Sequence, residues 1–102
     1  MKLKNENDSF EVLRKVQKLP NASQRELASI LGFSLGKLNY CLRELNKKRL
    51  IKIDNFTKNP NKINYIYILT PKGIAYKTSL TLKFIEKKMQ EYDELKNELR
   101  NN

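Results

Sequence analysis

The sequence predicts a mainly α-helical chain that contains one small β-hairpin and ends in a long helix. Leucines recur at helical spacing through residues 23–51, and a β-branched and aromatic run occupies residues 63–69. Apolar residues then recur at heptad-like spacing from residue 78 to residue 99. The 102 residues suit one compact domain with an appended element. We therefore expect a domain over residues 1–70 and a separate helix over residues 71–102.

The first predicted helix ends before Pro20, because the residue that precedes a proline avoids the helical region. Asp8 and Glu11 have the spacing of a capping box and predict where this helix begins. The apolar residues of this helix are expected to face inward, and they are Phe10, Val12, Leu13 and Val16.

Two further helices follow, separated by a sharp turn. Ser23 and Glu26 form a second capping-box pair, and Gly32 can adopt the left-handed conformation that ends the helix begun there. Ser34 is the predicted cap of the next helix. Three leucines of this helix share one face, namely Leu38, Leu42 and Leu45.

The opposite face of that second helix is polar and basic. It carries Gly36, Tyr40, Arg43 and Lys47, flanked by Lys37 and Asn39. The pair of helices has the pattern of a helix-turn-helix, whose second helix is a candidate recognition helix. The alternative is a small α-helical domain whose basic face is merely solvated.

A β-hairpin is predicted directly after the candidate recognition helix. Leu50, Ile51 and Ile53 indicate a short first strand, residues 54–61 with their proline indicate a loop, and residues 63–69 indicate the second strand. Three polar residues at the expected tip are Lys58, Asn61 and Lys62. A hairpin in this position is the wing of a winged helix. The alternative is that its lysines only protect a strand edge from aggregation.

The last helix is predicted to begin at Thr70 and Pro71, as cap and first-turn proline, and to run to about Leu99. Nothing later in the sequence could cover its apolar stripe. We expect a second copy of the chain to do so. The candidate dimerisation residues are Leu82, Ile85, Met89, Tyr92, Leu95 and Leu99. The alternative is a helix that folds back onto its own domain.

Composition excludes several classes of function. The net charge is +10, and residues 34–62 contribute +6 of it, which favours a polyanionic partner such as nucleic acid. There is no histidine and only one cysteine, so zinc sites, Cys–His nucleophile pairs and internal disulfides are not expected. We expect no enzymatic activity, metal or cofactor. The sequence has no long apolar run and no N-terminal signal, which predicts a cytoplasmic protein.

Individual roles follow from side-chain chemistry. Arg43 is the first candidate for a base contact, because its guanidinium group can donate two hydrogen bonds to guanine, at O6 and N7. Asn39 could pair with adenine. Tyr40 could contact a phosphate or a thymine methyl group, or pack on the domain surface. Phosphate contacts are expected from residues near helix N-termini, namely Ser23, Gln24, Arg25, Ser34 and Lys37.

Cys41 could have either of two roles. It lies beside the leucine face of the candidate recognition helix and would fill a small space in the core. Alternatively it is a redox switch whose pKa is lowered by Lys37, one turn earlier.

The order of elements and several strings resemble the MarR family of transcriptional regulators, and more narrowly its small members associated with exopolysaccharide biosynthesis. The matching strings are SQRELA at 23–28, SLGKLNYCL at 34–42, Asn55-Phe56, Asn61-Lys62, LTPKGI at 69–74 and LTLKFIEKKMQEYDEL at 80–95. The resemblance implies winged-helix DNA binding and dimerisation through terminal helices.

The sequence departs from the family pattern in three ways. Many relatives have glycine where Arg49 stands, which predicts a strained or altered turn. Larger relatives carry a wing arginine for the minor groove, whereas this wing offers Lys58 and Lys62. The extra helices that frame a ligand pocket in larger relatives have no counterpart here, so no small-molecule effector is implied.

Together these observations predict a homodimeric transcriptional regulator that binds double-stranded DNA. Two alternatives remain open. The winged helix could bind an acidic protein partner, or the chain could bind nucleic acid without sequence preference.

Overall fold

The computed structural model describes the backbone of residues 5–59 and 62–101 and the side chains of residues 5–54 and 66–101. Within those residues the chain forms four helices and a two-stranded sheet. The elements are α1 Glu6–Lys18, α2 Gln24–Leu31, α3 Leu35–Lys47, β1 Ile51–Asn59, β2 Lys62–Leu69 and α4 Pro71–Arg100. The predicted class, a winged helix-turn-helix followed by a long helix, is confirmed.

Helix α1 begins earlier than the sequence predicted. Its cap is Asn5, whose side-chain oxygen accepts a hydrogen bond from the Asp8 backbone N–H at 3.2 Å. The capping box proposed for Asp8 and Glu11 is therefore wrong. The earlier start places Glu6 in the first turn, where its carboxylate forms an ion pair with Lys83 of α4 at 3.0 Å. The contact with Lys83 thus favours Asn5 as the cap, whereas local spacing alone could not distinguish Asn5 from Asp8.

The two helices of the helix-turn-helix are capped as predicted. Ser23 and Ser34 each accept a hydrogen bond from the backbone N–H three residues later, at 3.1 Å in both cases. Glu26 accepts from the Ser23 hydroxyl at 3.2 Å. Gly32 ends α2 in the left-handed conformation, with φ of 70°. These local signals fix where α2 stops and α3 starts.

The core lies between α1, α2, α3 and the base of the hairpin. Its largest fully buried side chains are Leu13, Leu27, Leu38, Leu42, Leu45, Ile51, Val12 and Val16. Each contributes about 1.5–3 kcal/mol by leaving water. Because α3 buries its three leucines here, its opposite face must point outward.

The hairpin is longer than predicted. β1 continues through residues 54–59, which the sequence had indicated as a loop, and Asp54 pairs with Ile66 in the antiparallel ladder. The register shifts between Phe56 and Asn59, and Asn59 then pairs with Lys62. The prediction failed because a polar segment pairs well when a strong β-former lies opposite. Only Pro60 and Asn61 separate the two strands, and both lie outside the described residues.

Close backbone contacts connect the end of α3, the start of β1 and the start of α4. Arg49 has φ of 61°, in the left-handed region that favours glycine, so the turn is strained, which is one of the two outcomes predicted for this position. Its carbonyl oxygen accepts a hydrogen bond from the Thr70 hydroxyl at 2.6 Å, and the Leu50 carbonyl accepts from the Thr70 backbone N–H at 3.1 Å. A Cβ at Gly73 would lie 1.9 Å from the Leu50 carbonyl oxygen, so α4 can approach this closely only with glycine there.

Helix α4 has 30 residues and two unlike halves. In the proximal half, residues 71–88, Gly73 and Leu80 are buried, and Phe84 lies against Phe10 of α1 with ring centroids 5.0 Å apart. In the distal half, residues 89–100, every residue is exposed. The molecule measures 65 × 26 × 21 Å because this half projects beyond the domain.

Candidate nucleic-acid interface

The outward face of α3 carries the residues that the sequence singled out. Asn39, Tyr40, Arg43 and Lys47 are all exposed, and 48% of the Tyr40 surface is accessible. Within the part of the chain that the structure describes, no ion pair or hydrogen bond engages the Arg43 guanidinium. Its five donors are therefore available to a ligand outside the protein.

The N-terminus of α3 is open to solvent. A Cβ added at Gly36 would meet no heavy atom within 4 Å, so the fold itself does not require glycine there. The Ser34 oxygen accepts the hydrogen bond from Lys37 N–H, which leaves the hydroxyl proton free to donate outward. Free backbone donors and the helix dipole make such an end favourable for an anion.

Lys37 is exposed but engaged within the chain. Its ammonium group lies 3.1 Å from an Asp8 carboxylate oxygen and 4.1 Å from the centre of the Phe33 ring. The pair is partly exposed, with 47% of the Lys37 side chain and 21% of the Asp8 side chain accessible, so it contributes only about 0–1 kcal/mol. A phosphate could therefore compete with Asp8 for Lys37, but the Asp8 carboxylate lowers the positive potential at this end of α3.

At the start of α2, Ser23 and Arg25 are exposed, whereas Gln24 is half-buried. The Gln24 amide donates a hydrogen bond to the hydroxyl of Tyr67 at 2.7 Å, and Tyr67 is only 3% exposed on β2. This bond links the helix-turn-helix to the hairpin. No local pattern in the sequence indicates this bond, because its two residues lie 43 positions apart.

The candidate wing residues can be located only in part. Lys58 lies near the end of β1 and Lys62 begins β2, so both belong to the tip region of the hairpin. Their side chains, and Asn61 as a whole, lie outside the described residues.

Cys41 is half-buried and packs against the core. Burial raises the pKa of its thiol, and the nearby Asp8 carboxylate raises it further, while Lys37 acts in the opposite direction. Because the pKa is raised overall, the thiolate that a redox switch needs is disfavoured. The structure favours the core-filling role predicted for Cys41 over the redox switch.

The candidate dimerisation residues form an exposed apolar stripe along α4. Their exposed fractions range from 49% for Ile85 to 78% for Leu99. The middle of this stripe, at Ile85, Met89 and Tyr92, lines an open groove of about 640 Å³ between α1 and α4, which we call the α1–α4 groove. No pattern in the sequence indicated this groove, because it depends on how α1 lies along α4.

Two chemical features are absent from the residues that the structure describes. They contain no group of three or more metal-ligating side chains close enough to hold an ion. No helix among them combines the length and apolar composition needed to span a membrane.

Comparison with known proteins agrees with this geometry. Residues 9–52, from α1 into β1, match the family model described as winged helix-turn-helix DNA-binding. No curated protein sequence matches the chain.

Solved structures of transcriptional regulators share the fold. A variant of MepR from S. aureus superposes with a TM-score of 0.74 over 88% of this chain and 66% of its own, at 20% identity. A MarR/EmrR family regulator from Acinetobacter sp. ADP1 gives 0.68 over 84% and 59%, at 16% identity. A complex of S. aureus MepR with DNA gives 0.66 over 82% and 60%, at 21% identity.

The chain spans about three fifths to two thirds of the length of these regulators. At such low identity the likeness concerns the fold alone. The likeness extends beyond the winged helix into α4. The superposed part, 82–88% of the chain, is longer than the winged helix alone. The chain therefore has the winged-helix fold, which these solved structures share.

Proposed function

We propose that this chain is a MarR-type transcriptional regulator that binds double-stranded DNA as a homodimer, with α3 in the major groove. The observation that carries the proposal is the contrast between the two faces of α3. Its leucines anchor it in the core, while Asn39, Tyr40 and Arg43 are exposed and the Arg43 guanidinium has no partner in the described residues.

Residue chemistry divides the contacts into two kinds. Arg43 and Asn39 have the donors and acceptors that read guanine and adenine edges, and Tyr40 can contact a thymine methyl group or a phosphate. Phosphate contacts are assigned to the other candidate residues of the helix-turn-helix and the hairpin, namely Ser23, Gln24, Arg25, Ser34, Gly36, Lys37, Lys47, Lys58, Asn61 and Lys62. Of these, Ser23, Gln24 and Lys37 must first exchange the partners that their side chains have within the chain.

Charge supplies most of the affinity in this proposal. Residues 34–62 contain eight Lys or Arg against two acidic residues, and neutralising DNA phosphates with them releases counterions. A protein-binding surface would more often present apolar anchors at its centre. The polar centre of the α3 face therefore favours DNA over an acidic protein partner.

The dimer is supported by the exposed stripe of α4. Two recognition helices fixed about 34–36 Å apart would enter successive major grooves on one side of the duplex. The regulated genes that the narrower sequence resemblance implies are those of polysaccharide biosynthesis.

Selection of binding sites from random duplex DNA, followed by titration on the selected and a scrambled duplex, tests the function. If six to ten phosphates are contacted per dimer, affinity should fall about 10³- to 10⁵-fold between 50 and 200 mM salt. The selected site should bind more tightly at every salt concentration. Equal affinity for both duplexes would reduce the protein to a general nucleic-acid binder, and a flat salt dependence would rule out DNA as the partner.

A further inference from the structure

The ammonium group of Lys37 has two neighbours within the chain. It lies 3.1 Å from a carboxylate oxygen of Asp8 on α1, and 4.1 Å from the centre of the Phe33 ring, between α2 and α3. Only 21% of the Asp8 side chain is accessible, so most of it is packed against the protein. Two separate parts of the fold thus keep the end of the Lys37 side chain close to α1.

This pair lies at the end of α3 where a phosphate is expected. Ser34 caps the first turn of α3, and a Cβ added at Gly36 would meet no heavy atom within 4 Å, so an anion can approach the backbone there. A lysine in that turn would add its charge to the same attraction. Asp8 instead places a negative charge beside the Lys37 ammonium group.

We infer that Asp8 acts through Lys37 to limit the affinity of the chain for DNA, by engaging the ammonium group that would otherwise contact a phosphate. The inference rests on the DNA binding proposed above and adds a residue that opposes it. A phosphate that reaches Lys37 must displace Asp8 or share the ammonium group with it, and two anions beside one cation repel each other. Either route weakens the complex, although Asp8 itself does not contact DNA.

The chain contains a matched control for Asp8. Glu6 lies in the same first turn of α1, its carboxylate pairs with Lys83 of α4 at 3.0 Å, and 25% of its side chain is accessible. Asp8→Asn and Glu6→Gln each remove one negative charge and one lysine pair from that turn. Only the Asp8 pair includes a candidate DNA-binding residue, so a difference between the two variants reports the effect at α3.

The single cysteine of the chain reports on the pair without DNA. Burial raises the pKa of the Cys41 thiol, Asp8 raises it further and Lys37 lowers it. Asp8→Asn should therefore speed the alkylation of Cys41 by iodoacetamide at about pH 8, because the thiolate is the reactive form, whereas Glu6→Gln should not. Equal rates in the two variants would show that Asp8 does not occupy this position in solution, and would overturn the inference.

A double-mutant cycle assigns the effect on DNA binding to Lys37. In a Lys37→Gln background, the added Asp8→Asn substitution should raise affinity no more than Glu6→Gln does, because no ammonium group remains to be released. A gain that persists without Lys37 would mean that the Asp8 charge acts on DNA directly, which contradicts the inference.

Titration of the full chain on its selected duplex at several salt concentrations is the main test. Asp8→Asn should raise affinity about two- to tenfold at about 50 mM salt, and Glu6→Gln should change it by less than about twofold. A released lysine frees one more counterion when it binds a phosphate. The slope of log K against log salt should therefore steepen by about 0.9 for each Lys37 that makes the contact, and the gain should shrink as salt rises.

The outcomes separate this inference from the proposed function. Tighter and more salt-sensitive binding by Asp8→Asn, but not by Glu6→Gln, supports the inference. Unchanged binding by Asp8→Asn, in a chain that recognises its selected site, overturns the inference and leaves the proposed regulator unaffected. Weaker binding also overturns it, because Asp8 would then orient Lys37 toward a phosphate. A chain that binds no duplex overturns the proposed function and this inference together.

Discussion

Helix α3 and the distal half of α4 follow the same apolar periodicity and end in opposite environments. Leu38, Leu42 and Leu45 of α3 are at most 1% exposed, whereas Leu95 and Leu99 of α4 are at least 61% exposed. The difference lies in what each helix can reach. Helix α3 has 13 residues and packs among α1, α2 and β1, while α4 has 30 residues and outruns the domain. A pattern shows which face is apolar but not what covers it.

Removing the uncovered region should have the largest effect. A chain that ends at Ile85 keeps Leu80 and the Phe10–Phe84 contact, so its winged helix should remain folded. It should be monomeric and should lose about 10²- to 10⁴-fold in affinity for a two-half-site duplex, because the second contact is no longer intramolecular. Sedimentation and titration measure both. Unchanged affinity in the shortened chain would show that DNA binding does not depend on the distal helix.

Truncating one leucine in each region sharpens the comparison. Leu42→Ala should cost about 2–5 kcal/mol in the free energy of unfolding at every protein concentration, because it leaves a cavity in a closed core. Leu95→Ala should lower stability only where the protein is dimeric, and the effect should vanish on dilution. Urea unfolding at several concentrations measures this. A concentration-independent loss for Leu95→Ala would mean that the distal half packs on its own domain.

Substituting two glycines separates what the fold requires from what the candidate DNA interface requires. Gly73→Ala should cost about 1–3 kcal/mol of stability, because the new methyl group would collide with the Leu50 carbonyl. Gly36→Ala meets open space and should stabilise the chain by about 0.4–1 kcal/mol, by restricting the unfolded state. The same substitution should weaken DNA binding if a phosphate approaches the backbone there. Thermal unfolding and DNA titration of both variants decide between these roles.

Sequence alone gave those parts of the fold that depend on local chemistry. The serine caps, the left-handed Gly32 and the leucine spacing of α3 each act within one or two turns, and all were found where predicted. A strained turn at Arg49 was one of two outcomes predicted there, and only because many relatives carry glycine at that position.

The missed features all depend on partners far along the chain. Asp54 belongs to a strand because Ile66 lies opposite it, and Gln24 is half-buried because Tyr67 reaches it from β2. Asp8 was assigned to a cap, yet its carboxylate pairs with Lys37. For the candidate interface, the sequence identified which face of α3 is polar. It could not show which of those side chains are engaged within the chain.

The central claim is that the outward face of α3 reads DNA sequence, and the Arg43→Ala variant tests it most directly. Its affinity is measured on the selected site and on a scrambled duplex, beside Lys62→Ala at the wing and Lys18→Ala on the exposed end of α1. We expect Arg43→Ala to lose about 1–3 kcal/mol on the selected site alone, Lys62→Ala to weaken both duplexes alike, and Lys18→Ala to change neither. Equal losses on the two duplexes for Arg43→Ala would contradict base reading by α3.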